Sequence, residues 1–145
     1  MSLITSTLRQ VADRDILCYK LIYTDRSRTY WLGGATGGRT NKEMFDFDIP
    51  VMAKGVKQVT NDRGRFCVDR GFFHSYTNSS EANSFYKPLD GGDFYRIYAY
   101  AVVPKGTNYY INNSEIASDY LIVFSSKLEY FKYKLKSLLG NRNSI

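Results

Sequence analysis

Cysteine and histidine are scarce in this chain. Cys18 and Cys67 are the only two thiols, too few for a disulfide framework and without metal-ligand spacing. Both sit in apolar stretches and read as small core residues. With His74 as the sole histidine, no ligand set remains for a structural or catalytic zinc site. Long apolar runs are also missing, and none approaches membrane-spanning length. The opening segment, MSLITSTLRQVADRD, has no apolar core ahead of a cleavage site, so it does not read as a signal peptide. Without secretion, the glycosylation sequons Asn78-Ser79-Ser80 and Asn112-Asn113-Ser114 carry no meaning. The expected setting is a cytoplasm, or a particle assembled within one.

Aromatic residues are abundant instead. The 145 residues include 13 Tyr and 9 Phe, with Val, Ile and Thr also well represented, a composition suited to pleated, half-buried surfaces. One domain with its own core is the expectation at this length. The formal charge of +6 permits contact with nucleic acid, acidic proteins or anionic surfaces. The basic residues are mixed with acids along the chain, which also describes an ordinary solvated surface.

Along the chain, residues 5–14 read as a short helix or arm (1–15) with Thr7 as N-cap and Gln10 three residues on. ILCYKLIY (16–23) is a strand, and TYWL (29–32) is its hairpin return after the polar turn 25–28. RFCVDRGFFHSY is extended beyond the turn Asn61-Asp62-Arg63-Gly64. Asn78-Ser79-Ser80-Glu81 opens a helix that Pro88 stops near Tyr86. FYRIYAYAVV (94–103) is the longest strand, Pro104-Lys105-Gly106 turns it, NYYI follows, and YLIVF (120–124) reads as a strand buried on both faces. The clearest helix spans 126–140, with a capping box at Ser126 and Glu129 and a C-cap at Gly140. Leu128, Phe131, Leu135 and Leu138 recur along it at helical spacing. Lys132, Lys134 and Lys136 crowd its second half, either as a solvated face or as a docking surface for acidic partners. Residues 141–145 form a tail. The fold expected is a compact α+β domain: an antiparallel or mixed sheet of about six strands with the C-terminal amphipathic helix packed on it.

GGATGGRT (33–40) has the spacing of a phosphate-binding loop, but Arg39 replaces the lysine that reaches the phosphates, and the two are not interchangeable there. The helix such a loop must enter is cut short at Pro50. A glycine-rich turn is the simpler reading. Asp46 and Asp48 of FDFD share one side if that segment is a strand, a minimal pair for acid–base work. A Ser-His-Asp arrangement would have to use His74, with no nucleophile elbow to accompany it.

RGFFHSY (70–76) is the stronger candidate for a working surface. Arg-Gly followed by alternating aromatics resembles the RNP1 segment of RNA-recognition motifs, which implies base stacking on single-stranded nucleic acid. Phe73 stands where that motif has Gly or Ala, and CYKLIY supplies no RNP2 partner.

A wider pattern runs through Gly71-Phe72-Phe73-His74-Ser75-Tyr76, Glu81-Ala82, Val103-Pro104-Lys105-Gly106, Tyr109-Tyr110 and Ser118-Asp119. It resembles the second half of the ADP-ribosyltransferase fold. It also resembles a group of uncharacterised small phage and gut-bacterial proteins with a GFHS…PKG…YY…SD pattern. The first resemblance implies NAD as cofactor, Ser75 in the nicotinamide-side pocket and a catalytic acid near Glu115 or Asp119 at the reacting ribose. Only Ser75 of the Ser-Thr-Ser segment agrees, Lys20 stands where the first strand needs Arg or His, and Ser114-Glu115-Ile116 lacks the Glu-x-Glu or Gln-x-Glu form. The second resemblance implies an accessory or virion-associated protein in a bacterial host cytoplasm or in the virion.

The expectation is therefore a non-catalytic protein that binds a protein partner (host factor or virion component) or a small phosphorylated ligand. The residues expected to do so are Arg70, His74, Ser75, Tyr76, Tyr109, Tyr110 and Glu115. No cofactor or metal is expected outside the NAD alternative.

Overall fold

The computed structural model describes residues 3–4, 9–25, 30–32, 46–53, 57–62, 65–68, 71–80 and 94–143. Its strands are β1 (Leu3–Ile4), β2 (Gln10–Val11), β3 (Ile16–Asp25), β4 (Tyr30–Leu32), β5 (Pro50–Met52), β6 (Val59–Asp62), β7 (Arg65–Val68), β8 (Phe73–Tyr76), β9 (Phe94–Val103), β10 (Asn108–Asn112), β11 (Glu115–Ser118) and β12 (Tyr120–Val123), and a helix follows at Lys127–Asn143. The class is α+β, as expected.

The main sheet is larger than the six strands expected. Among the described residues it has nine: eight run β2-β10-β11-β8-β3-β9-β12-β5, and β4 pairs with β3 beside that path. Its strand pairs are antiparallel throughout. The excess comes from short segments with no alternating pattern of their own, β2 and β5 among them, which exist because a longer neighbour offers them a ladder. β1, β7 and β6 form a separate three-stranded sheet.

The framework is the β3–β9 ladder, ten residues on each strand, from Ile16↔Val103 to Asp25↔Phe94. Both strands are rich in aromatic and branched residues, which suits a pleat covered on both sides. Alternation then sorts the side chains. One face gathers small and aliphatic residues: Cys18, Ile22, Ala101, Val103, Ile116, Leu121 and Val123, with Phe73. The other is aromatic. There Tyr100 stands edge-on to Tyr19 and to Tyr130 of the helix, with centroids 5.3 Å apart in each pair, and Tyr76 packs with Tyr19 and Tyr98.

Several local expectations need correction. Residues 10–14 are not helical: Gln10 and Val11 pair with Tyr109 and Asn108, because the β10 edge satisfies their backbone. Residues 46–48 of FDFD are not in a strand either. Asp48 adopts φ 69°, and its carboxylate accepts from Ser125 N at 3.0 Å and Ser125 Oγ at 2.8 Å, so it fastens the approach to the C-terminal helix. Of the helix expected over 78–86, residues 79–80 are helical and Asn78 Oδ1 accepts from Ser80 N at 2.8 Å. The remainder lies outside the described residues, as do GGATGGRT and the turn at 26–28.

The C-terminal helix starts as its capping signal indicates, with Glu129 N donating to Ser126 Oγ at 3.2 Å. Its docking surface is not the leucine recurrence. Tyr130 is buried against Val102, Ile122 and Phe124, with Tyr133 beside it, and the Tyr133 hydroxyl donates to Asp15 Oδ2 at 2.7 Å. Asp15 Oδ1 also accepts from Lys105 N at 2.8 Å. One carboxylate thus ties the helix to the Pro104–Thr107 turn, where Gly106 sits at φ 88°, a conformation that favours glycine.

Candidate functional site

The candidate residues other than Arg70 fall on three neighbouring strands, β10, β11 and β8. Arg70 lies outside the described residues. His74, Ser75 and Tyr76 form three of the four residues of β8, buried along its whole length. Burial follows from position: β8 is flanked by β11 and β3, and the small sheet reaches the same region through Val68, which packs with Ala117 beside Phe72 and Tyr110. The rings of RGFFHSY expected to be exposed are therefore interior or half-buried, because neighbours distant in sequence cover both sides of a strand that reads as an open aromatic face.

The register decides which groups meet. β8 and β11 pair Tyr76↔Glu115, Ser75↔Ile116 and His74↔Ala117. His74, Tyr76 and Glu115 consequently share one face, and Ser75 points to the other. On the shared face His74 Nδ1 lies 3.6 Å from Glu115 Oε1, a charge contact when the imidazole is protonated. The His74 carbonyl accepts from Lys20 Nζ at 2.7 Å. Lys20 is only 2 % exposed, and burial pushes its ammonium down to about 8, with Cys18 and Glu115 acting in the opposite direction.

On Ser75's face lie Cys18 and Ser118, all three buried. Burial pushes the Cys18 thiol up to about 12, despite opposing contributions from Ser75 and Lys20. A thiol so protonated is a poor nucleophile at neutral pH. An amine near 8 would suit nucleophilic work, yet this one is enclosed and committed to a carbonyl. The arrangement acts chemically as a polar rivet between β3, β8 and β11. Among the described residues, no three His, Cys, Asp or Glu side chains cluster as metal ligands.

Tyr109 and Tyr110, on β10, are half-buried. Tyr109 donates to Gln10 Oε1 at 3.0 Å, and Tyr110 lies edge-on to Phe72 with centroids 5.5 Å apart. Tyr109 thus ties β10 to β2, and Tyr110 packs beside the start of β8.

The sequence reading missed the most exposed apolar surface among the described residues. Leu128, Phe131, Leu135, Leu138 and Leu139 of the C-terminal helix are between 48 % and 62 % exposed. A signal was available: Tyr130 and Tyr133 recur three residues apart on the opposite side, a second face able to dock. The helix is apolar on two sides, and the aromatic one won the sheet because Tyr100 and Phe124 offered rings to pack on.

No protein-family model, curated protein or solved structure matches this chain.

Proposed function

We propose that this is a non-catalytic accessory protein that works by holding a protein partner, in a bacterial host cytoplasm or a virion as the Gly71–Asp119 pattern suggests. The observation that carries this reading is the outward row of Leu128, Phe131, Leu135 and Leu138. Apolar surface concentrated on one ridge is costly in water and marks an interaction site. The polar residues that would have to do chemistry support the same reading from the other side. Lys20, His74 and Ser75 are buried, so they favour a structural role over contact with substrate. The phosphorylated-ligand reading has its main supports, Arg70 and the glycine loop, outside the described residues, which leaves a protein partner as the better supported choice.

Photo-crosslinking in the producing cells tests the reading. A benzoylphenylalanine at position 135 is expected to yield one discrete, nuclease-resistant protein adduct, and one at position 120 none. The reading fails if position 135 gives only nuclease-sensitive adducts or none. It fails equally if the purified chain transfers labelled ADP-ribose from NAD and Glu115→Ala abolishes the transfer.

A further inference from the structure

The outer ridge of the C-terminal helix has a geometry that narrows the choice of partner. Leu128, Phe131, Leu135 and Leu138 are spaced three, four and three residues apart, the repeat of a coiled-coil seam. At 100° per residue they span roughly 80° of the helix circumference, and Leu139, exposed beside Leu138, widens the apolar stripe to roughly 100°. The opposite side is already occupied, since Tyr130 and Tyr133 hold it on the sheet. Lysines bracket the seam on both flanks: Lys127 and Lys134 on one side, Lys132 and Lys136 on the other, every one exposed. The only acid of the helix, Glu129, is 3.2 Å from Lys132 Nζ, so it offers little to a second cation.

We infer that this ridge is a docking site for an amphipathic helix of a partner protein, one with an apolar seam flanked by Asp and Glu. This rests on the protein-binding reading above and specifies its partner. A second copy of the chain fits poorly, because pairing two such ridges, parallel or antiparallel, brings lysine flank against lysine flank, and like charges across a seam oppose association. An anionic bilayer would satisfy the lysines too, but it asks for no three- and four-residue register of the kind this seam carries. An acidic helix meets both features: its leucines fill the spaces between Leu128, Phe131, Leu135 and Leu138, and its carboxylates lie beside lysines on both edges.

The test uses the full chain and a fluorescein-labelled synthetic helical peptide with leucines at three- and four-residue spacing and glutamates on both flanks. Anisotropy titration is expected to show saturable binding that Phe131→Ser and Leu135→Ser each weaken about tenfold or more. The double variant Lys132→Glu/Lys134→Glu should lose the acidic peptide and gain a lysine-flanked version. These substitutions are on the exposed ridge, so unchanged thermal unfolding is expected and separates lost docking from lost folding. The inference is overturned if the acidic peptide does not bind or binds equally to the Leu135→Ser variant. It is also overturned if the chain alone sediments as a dimer that Leu135→Ser dissociates, or if phosphatidylserine vesicles capture it through the same residues. A discrete adduct at position 135 with no acidic-peptide binding would sink the acidic-helix assignment and leave the protein-binding reading standing. Failure of both experiments would remove the two together.

Discussion

β8 and the C-terminal helix invert the usual distribution of polarity. β8 buries His74 and Ser75 with Lys20 against them, while the helix turns Leu128, Phe131, Leu135 and Leu138 to solvent. Function-bearing chemistry read from residue type points to the first region. Exposure points to the second. The contrast teaches that a polar residue in a sheet is out of reach once its strand is central and covered on both faces. An apolar residue left outside is available to bind.

The sharpest way to break this contrast is to delete the same kind of side chain from each region. Ile116→Ala, at a site with no exposed surface, is expected to cost about 2–5 kcal/mol in chemical denaturation. Leu135→Ala, on the outer ridge, should change stability by less than about 0.5 kcal/mol. Comparable losses would mean that the ridge is part of the core.

The next effect is electrostatic. Lys20 is held near 8 against an ordinary 10.5, so between those values the unfolded chain binds more protons and stability rises with pH, by up to about 3 kcal/mol in isolation. Cys18 acts oppositely. Its thiol is raised from 9.0 to about 12, so the folded chain keeps a proton that the unfolded chain releases, and stability falls with pH across that window. The raised phenols of Tyr19, Tyr130 and Tyr133 add to the loss above about pH 10. Urea midpoints across pH are therefore expected to climb from about pH 8 to 9, level off, and then drop. Lys20→Met should erase the climb. A climb that survives in that variant would detach the effect from the β3–β8 junction.

Smaller effects sharpen the helix side of the comparison. Tyr133→Phe removes the hydroxyl that donates to Asp15 and should cost about 1.5 kcal/mol, as a hydrogen bond to a charged group does. Amide exchange over the last turns of the helix should quicken with it. Unchanged exchange would leave Tyr130 as the main anchor. Ser126→Ala, which removes the acceptor for Glu129 N, should cost about 1 kcal/mol in thermal unfolding. No change would mean that Asp48 and Ser125 set the helix entry without the cap.

Much of the fold was legible because its main signals are local. The ten-residue alternation in FYRIYAYAVV fell directly on β9, ILCYKLIY became most of β3, and the Ser126–Glu129 box opened the C-terminal helix. The short strands were not legible: Gln10–Val11 and Pro50–Met52 pair only because β10 and β12 leave edges open to them. Of the candidate site, the residue types were legible and their burial was not. Glu115, His74 and Tyr76 do meet on one face, but the strands around them close over the last two.

By itself, the sequence determined the α+β class, the long strands, the N-cap of the C-terminal helix and the basic character of that helix, since these depend on residues within a turn or a pleat of each other. Its C-cap at Gly140 did not hold, the helix running on to Asn143. Tertiary structure decided which residues are reachable. Two faces of the helix could have docked, and Tyr100, Phe124 and Asp15, each distant in the chain from at least one partner, chose the tyrosine face through ring packing and one hydrogen bond, leaving the leucines outside.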